Sequence, residues 1–245
     1  MEMKPSDAVF FEFDDPGEPR ISYLVCSIPR SGSNLLCDLL SATGVAGAPT
    51  ELFHPDYMRM LKQRWDVEVE TPEQYVGQLL ARKTSPNGVF GAKAHWGQYQ
   101  PFFEDTDPRH ALPNMQAIFV TRRDQLRQAV SWVRALQTLR WQSIQSERPE
   151  RPAEFDPEHI TRKLRRIGRE EDAWEALFDR YGIEPHRVVY EDLVADQSRV
   201  VRGVLEFIGV EPPADLQGAT PRLERQADAL SEQWVERYLA ETPHT

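Results

Sequence analysis

The chain has 245 residues, 40% of them hydrophobic, a size and make-up that fit one α/β domain with a sizeable core and disfavour two small independent domains. Its 29 basic against 39 acidic residues give a formal net charge of -10, which excludes a general nucleic-acid binder, because such a protein recruits cations to neutralise phosphates. No run approaches the roughly 18 apolar residues of a membrane span, and residues 1–16 carry acids where a signal peptide needs basic and then apolar residues, so a cytoplasmic protein is expected.

Residues 1–20 read as an extended N-terminal arm, and residues 22–27 as the first strand, an apolar run that stops before Pro29 and Gly32. A helical pattern begins near Asn34 and carries Leu35, Leu36, Leu39 and Leu40. Thr71, Pro72, Glu73 and Gln74 have the order of a capping box with proline in the first turn, and Val76, Leu79 and Leu80 follow at helical spacing. Residues 86–88 end that helix. Residues 89–93 and 116–121 are short apolar runs suited to buried parallel strands, the second leading into a helix with Leu126, Val130, Val133 and Leu136. Proline clusters at 148–157 and 211–213 read as loops. Asp156 and Pro157 open a long helix that Gly182 stops, residues 187–190 form a further strand, and a last helix spans about 196–209.

Repeated strand–helix units predict a mostly parallel sheet with helices on both faces, whose ligands gather beyond the carboxyl ends of the strands. Function is therefore expected after Ser27, Ala92, Val120 and Tyr190. Cys26 and Cys37 fall inside predicted elements and form no CxxC pair, which gives neither a zinc site nor a disulfide framework.

Residues 27–35 read SIPRSGSNL, a strand end, a turn of small residues and a helix start. Small residues at Ser31, Gly32 and Ser33 let backbone N–H groups approach an anion, and a helix N-terminus adds partial positive charge. Arg30 supplies a full charge; Ser31, Ser33 and Asn34 supply side-chain donors. The plain alternative is an ordinary strand-to-helix turn with a serine cap. The loop lacks the first glycine and the lysine of a Walker A motif and two of the three glycines of a dinucleotide fingerprint. Cys26 and Arg30 stand too close for a Cys-x5-Arg phosphatase loop. No HExxH pair occurs among the six histidines, and no metal is expected.

With these residues in hand, the sequence resembles the sulfotransferases that use 3'-phosphoadenosine 5'-phosphosulfate, in particular the trehalose sulfotransferase branch, which is also similar to the nodulation-factor sulfotransferases. YLVCSIPRSGSNLL (23–36) resembles the family's 5'-phosphosulfate loop and TRRDQLRQAVSW (121–132) its 3'-phosphate strand and helix. VVYEDL (188–193) and VVRGVLEFIGV (200–210) are similar to stretches seen widely in sulfotransferases. TGVAGAPTELF (43–53), NGVFGAK (87–93), SWVRALQTLRW (131–141) and RLERQAD (222–228) carry the branch-level likeness.

The resemblance implies a three-layer, P-loop-NTPase-like parallel sheet flanked by helices. It implies metal-independent, in-line transfer of a sulfuryl group to an acceptor hydroxyl, leaving adenosine 3',5'-bisphosphate, and it makes a homodimer plausible. Matched residue by residue, Arg30, Ser31, Gly32, Ser33 and Asn34 would hold the 5'-phosphosulfate. Arg122 and Ser131 would take the 3'-phosphate, with Arg123 able to share the role, and Arg225 and Gln226 would form a C-terminal donor clamp. Two residues compete as the base: Glu51, whose carboxyl burial would tune towards neutrality, and His95 in the Lys93-Ala94-His95 pattern. Lys93 would stabilise bridging or equatorial oxygens. Phe53, His54, Trp96 and Gln98 stand close in sequence to both bases and are the expected acceptor ligands; Trp132 and Trp141 are expected in packing. Ala48 stands before Pro49 where the trehalose branch places a second acid, so the acceptor implied is a sugar, a glycolipid or another small alcohol. Two alternatives stay open, a P-loop-like nucleotide or metabolite kinase and a non-catalytic nucleotide-binding module.

Overall fold

Four strands, β1 (Ile21–Ser27), β2 (Val89–His95), β3 (Met115–Thr121) and β4 (His186–Val189), pair in the order β2-β1-β3-β4, and every pairing is parallel. The structure is a computed structural model that describes residues 8–103, 106–138, 153–216 and 229–242. Six of the seven residues of β1 are buried, as a parallel strand covered on both faces requires. Leu24 and Cys26 pack on one face with Ala92, Phe119 and Trp174; Tyr23 and Val25 pack on the other with Leu36, Leu40 and Val204. Helices α3 (Pro72–Lys83), α5 (Gln125–Thr138) and α6 (Pro157–Tyr181) cover the first face, and α1 (Ser33–Ala42) and α8 (Gln197–Phe207) the second. Three layers result, as expected.

Register decides where the chemistry collects. Ser27 lies opposite His95 on β2 and Val120 on β3, so the three strands end at one edge and their loops meet there. At α3 both halves of the capping box form: Thr71 accepts from the Gln74 N–H, and the Gln74 side chain accepts from the Thr71 N–H. At α6 the Asp156 carboxylate accepts from the His159 N–H at 2.8 Å, and Gly182 closes the helix at φ 58°.

Other boundaries differ from expectation. β4 stops at Val189, because Tyr190 opens a short helix, α7 (Tyr190–Ala195). Besides α7, three helices were not anticipated: α2 (Pro55–Trp65), α4 (Trp96–Phe103) and α9 (Ala229–Glu241). Only Leu61 of α2 is buried, so that helix shows no apolar stripe, and α4 follows β2 directly and contains Pro101. The described part of the arm, although without helix or strand over residues 11–20, is fastened down. Lys83 Nζ donates to the carbonyls of Val9, at 2.7 Å, and Phe11, and Trp65 Nε1 donates to Glu12 at 2.9 Å. Both cysteines are free and buried, and burial pushes the Cys37 thiol up to about 12. Among the described residues no helix is long and apolar enough to cross a membrane.

Candidate active site

The loop leaving β1 is held in a conformation that few residues adopt. Arg30 has φ 69° and Gly32 φ 89°; a left-handed arginine costs about 1 kcal/mol and persists where its surroundings fix it. They do so here: the Ser31 N–H donates to Ile28 O at 3.2 Å, and Gln128 Nε2, from α5, donates to Pro29 O at 3.0 Å. Gly32 is the N-cap of α1 and offers no side-chain bond to the first turn, which leaves those N–H groups to a ligand or water. A Cβ on Gly32 would lie 2.4 Å from Tyr190 Cδ2, so the ring at the start of α7 closes directly on the loop.

Arginines gather around it. Arg30 Nε donates to Ser131 Oγ at 2.9 Å. The Arg122 guanidinium lies 4.7 Å over the Tyr190 ring, its side chain only 11% exposed. Its Nε stands 3.9 Å from Glu191 and has no hydrogen-bond partner among the described residues. Burial and the neighbouring charges of Arg122 and Arg134 lower Arg30 to about 10, partly opposed by Tyr190. Ser31 Oγ is likewise buried, with no hydrogen-bond partner among the described residues. Arg123 faces elsewhere, paired with Asp192 at 2.6 Å on the surface. Of the two adjacent arginines, Arg122 is the one turned towards the loop.

A second cluster forms where β2 ends. Lys93, 2% exposed, places Nζ 2.5 Å from Glu51 Oε1 and also donates to Asn34 Oδ1, tying this cluster to the first. Gln98 Oε1 accepts from the His95 N–H at 3.0 Å, which turns its Nε2 towards Glu51 Oε2 at 2.8 Å. Burial pushes the Glu51 carboxyl up, but Lys93, His95 and the Gln98 hydrogen bond outweigh it and hold the group well below the usual carboxylate range. The expectation that burial brings Glu51 towards neutrality is thereby corrected: an ammonium at contact distance overrides desolvation. Burial lowers His95 to about 4 against the pull of Glu51, so the ring is neutral at pH 7. Its Nδ1 lies 3.0 Å from Ser27 Oγ and its Nε2 3.8 Å from Glu51 Oε1.

The expected acceptor ligands separate. Phe53 is fully buried and packs against Phe102 and Phe103, with ring centroids 5.1 and 5.6 Å away, so its ring belongs to the core. Gln98 grips Glu51. His54 caps α2, its Nδ1 accepting from the Asp56 N–H at 3.2 Å, and is partly exposed. Trp96 opens α4 and meets Trp174 edge to face at 5.1 Å. Trp132 is 3% exposed and packed, as expected. Arg225, Gln226 and Trp141 lie outside the described residues. Two contributors were missed. Tyr190 ends the strand expected over residues 187–190 yet closes on Gly32, and Trp174, within the long helix expected from Asp156 to Gly182, donates from Nε1 to Ser27 O at 3.2 Å.

A parallel sheet whose strand β1 opens into a glycine-capped loop among half-buried arginines, beside an ion-paired carboxylate, makes an α/β protein with an arrangement able to receive an oxyanion. The model of the family described as Stf0 sulphotransferase matches residues 22–241, and the chain belongs to that family: it is an enzyme that transfers sulfuryl groups. It is 31% identical to a trehalose 2-sulfotransferase of Mycobacterium tuberculosis, over 90% of this chain and 95% of the relative. A trehalose 2-sulfotransferase of Mycolicibacterium smegmatis is 32% identical, over 89% and 94%. A sulfotransferase domain from the curacin biosynthetic pathway aligns over 88% of this chain and 83% of its own, at 14% identity and TM-score 0.49. Family membership sets aside the kinase and the non-catalytic module.

Proposed function

We propose that the chain moves a sulfuryl group from 3'-phosphoadenosine 5'-phosphosulfate to a hydroxyl of a carbohydrate. One observation carries the donor: half-buried guanidinium groups crowd a loop whose Ser31 Oγ, and whose neighbour Arg122 Nε, find no hydrogen-bond partner among the described residues. Such groups fit an anion with several oxygens. When bound, the donor supplies a sulfuryl group for in-line displacement, by analogy with phosphoryl transfer, where positioning and fixed positive charge carry most of the catalysis.

The chain's own residues divide the work. Arg30, Ser31 and the first-turn N–H groups of α1 hold the 5' end. Arg122 and Ser131 take the 3'-phosphate; Ser131 Oγ accepts from Arg30 and keeps its own hydrogen to donate. Lys93, between Asn34 and Glu51, brings its charge to the junction of donor and acceptor. Glu51, ionised at neutral pH, accepts the acceptor's proton, and Gln98 keeps the carboxylate in place. The neutral ring of His95, beside Glu51, supports a second reading in which Nε2 is the base. Calorimetry with adenosine 3',5'-bisphosphate, followed by transfer of labelled sulfate to trehalose and other sugars, tests the assignment. Absence of nucleotide binding by folded protein would overturn it.

A further inference from the structure

Helix α6 carries a carboxylate that none of the foregoing uses. Glu170 is 8% exposed; its Oε1 accepts from Arg166 Nε at 2.6 Å, while its Oε2 is buried and has no hydrogen-bond partner among the described residues. A buried carboxylate oxygen in that condition lacks a donor. One helical turn further on, Trp174 reaches Ser27 and Trp96, so this stretch of α6 faces the site described above.

Arg166 extends the same face. Its guanidinium lies 5.0 Å over the Trp132 ring, which it shares with Lys163 Nζ at 4.5 Å. Its Nη2 stands 4.0 Å from where a Cβ on Gly97 would be. Gly97 is exposed and lies in α4 between Trp96 and Gln98, the residue that grips Glu51. Glycine weakens a helix, yet packing among the described residues does not demand one here, since an added carbon would meet only that single neighbour of theirs at ordinary contact distance. With no side chain at 97, that position leaves the Arg166 head group uncovered from the α4 side.

We propose that Arg166, Glu170 and the space above Gly97 form the subsite that grips a polyhydroxylated acceptor, Arg166 donating to one sugar hydroxyl and Glu170 Oε2 accepting from its neighbour. A donor and an acceptor side by side match a pair of adjacent ring hydroxyls, and the carboxylate offsets the charge of Arg166, which suits a neutral sugar. The proposal rests on the sulfotransferase reading of the site.

Two variants test it in the full chain. Gly97→Leu favours the helix and fills the space; Glu170→Gln keeps the shape and replaces the carboxylate with an amide. Binding of trehalose and methyl α-glucoside to protein loaded with adenosine 3',5'-bisphosphate is followed by saturation-transfer NMR, and nucleotide affinity by calorimetry. The wild type binds at least one sugar, and both variants weaken it by about tenfold or more with nucleotide affinity unchanged. Unaltered sugar affinity in both folded variants, or a wild type that binds neither sugar, overturns the subsite. A wild type that binds no nucleotide sinks the donor reading instead, and the same sugar titrations on nucleotide-free protein then decide the subsite by themselves.

Discussion

Lys93 Nζ stands 2.5 Å from Glu51 Oε1 and donates at the same time to Asn34, so one buried ammonium holds both the candidate base and the first turn of the anion loop. Its removal acts on protonation as well as on binding. In Lys93→Met, the strongest opponent of burial at Glu51 is lost and only His95 and Gln98 remain, so its pKa rises and the carboxylate protonates at higher pH. The acid limb of the kcat/KM profile is expected to move to higher pH, with kcat at pH 7 lower by at least about tenfold. An unmoved limb would show that Glu51 does not titrate in the reaction.

Glu51→Gln and His95→Ala separate the two bases. The glutamine keeps the hydrogen-bonding shape but cannot take a proton, so transfer is expected to fall by about a hundredfold or more while adenosine 3',5'-bisphosphate still binds. Should turnover survive in Glu51→Gln and vanish in His95→Ala, Nε2 of His95 is the base.

Arg30→Ala removes the guanidinium that reaches Ser131. A charge-assisted contact of this kind is worth about 1.5–3 kcal/mol, so calorimetry should find nucleotide affinity weaker by roughly ten- to a hundredfold. Arg123→Ala, which breaks an exposed pair with Asp192, is expected to leave that affinity within about twofold.

His95 makes stability depend on pH. Its folded pKa, about 4, lies below the ordinary 6.5, so between those values the unfolded chain binds the proton more readily. The contribution is complete above pH 6.5, shrinks as pH falls and is gone below about 4, for a loss of about 3 kcal/mol. Denaturant midpoints of wild type and His95→Gln, compared from pH 7 to 4, should converge as the pH drops. Parallel curves would exclude a buried neutral histidine.

Much of the scaffold could be read from local signals. The capping box at Thr71 and the Asp156 to Gly182 limits of α6 are written within a few adjacent residues, and both form. Helix α2 escaped notice because a helix that buries only Leu61 leaves no apolar period, although His54 and Pro55 mark its start. The loop at Arg30 was legible for the same local reason as the caps. The choice between Arg122 and Arg123 was not: adjacent residues at a strand end point to different sides, and what lies on each side, Tyr190 or Asp192, comes from far along the chain. The protonation of Glu51 escaped for a like reason, since the ammonium that governs it arrives from β2. Phe53 looked like a sugar platform by its neighbours in sequence and proved to be core by its neighbours in space.

The closure of Tyr190 on Gly32 constrains how this sequence can drift. Any side chain at 32 would claim the volume that the ring fills, so a change there can be inherited only after 190 has shrunk. A smaller 190 would in turn strip Arg122 of the face it rests on. The three positions are therefore expected to vary as a set across descendants of this gene.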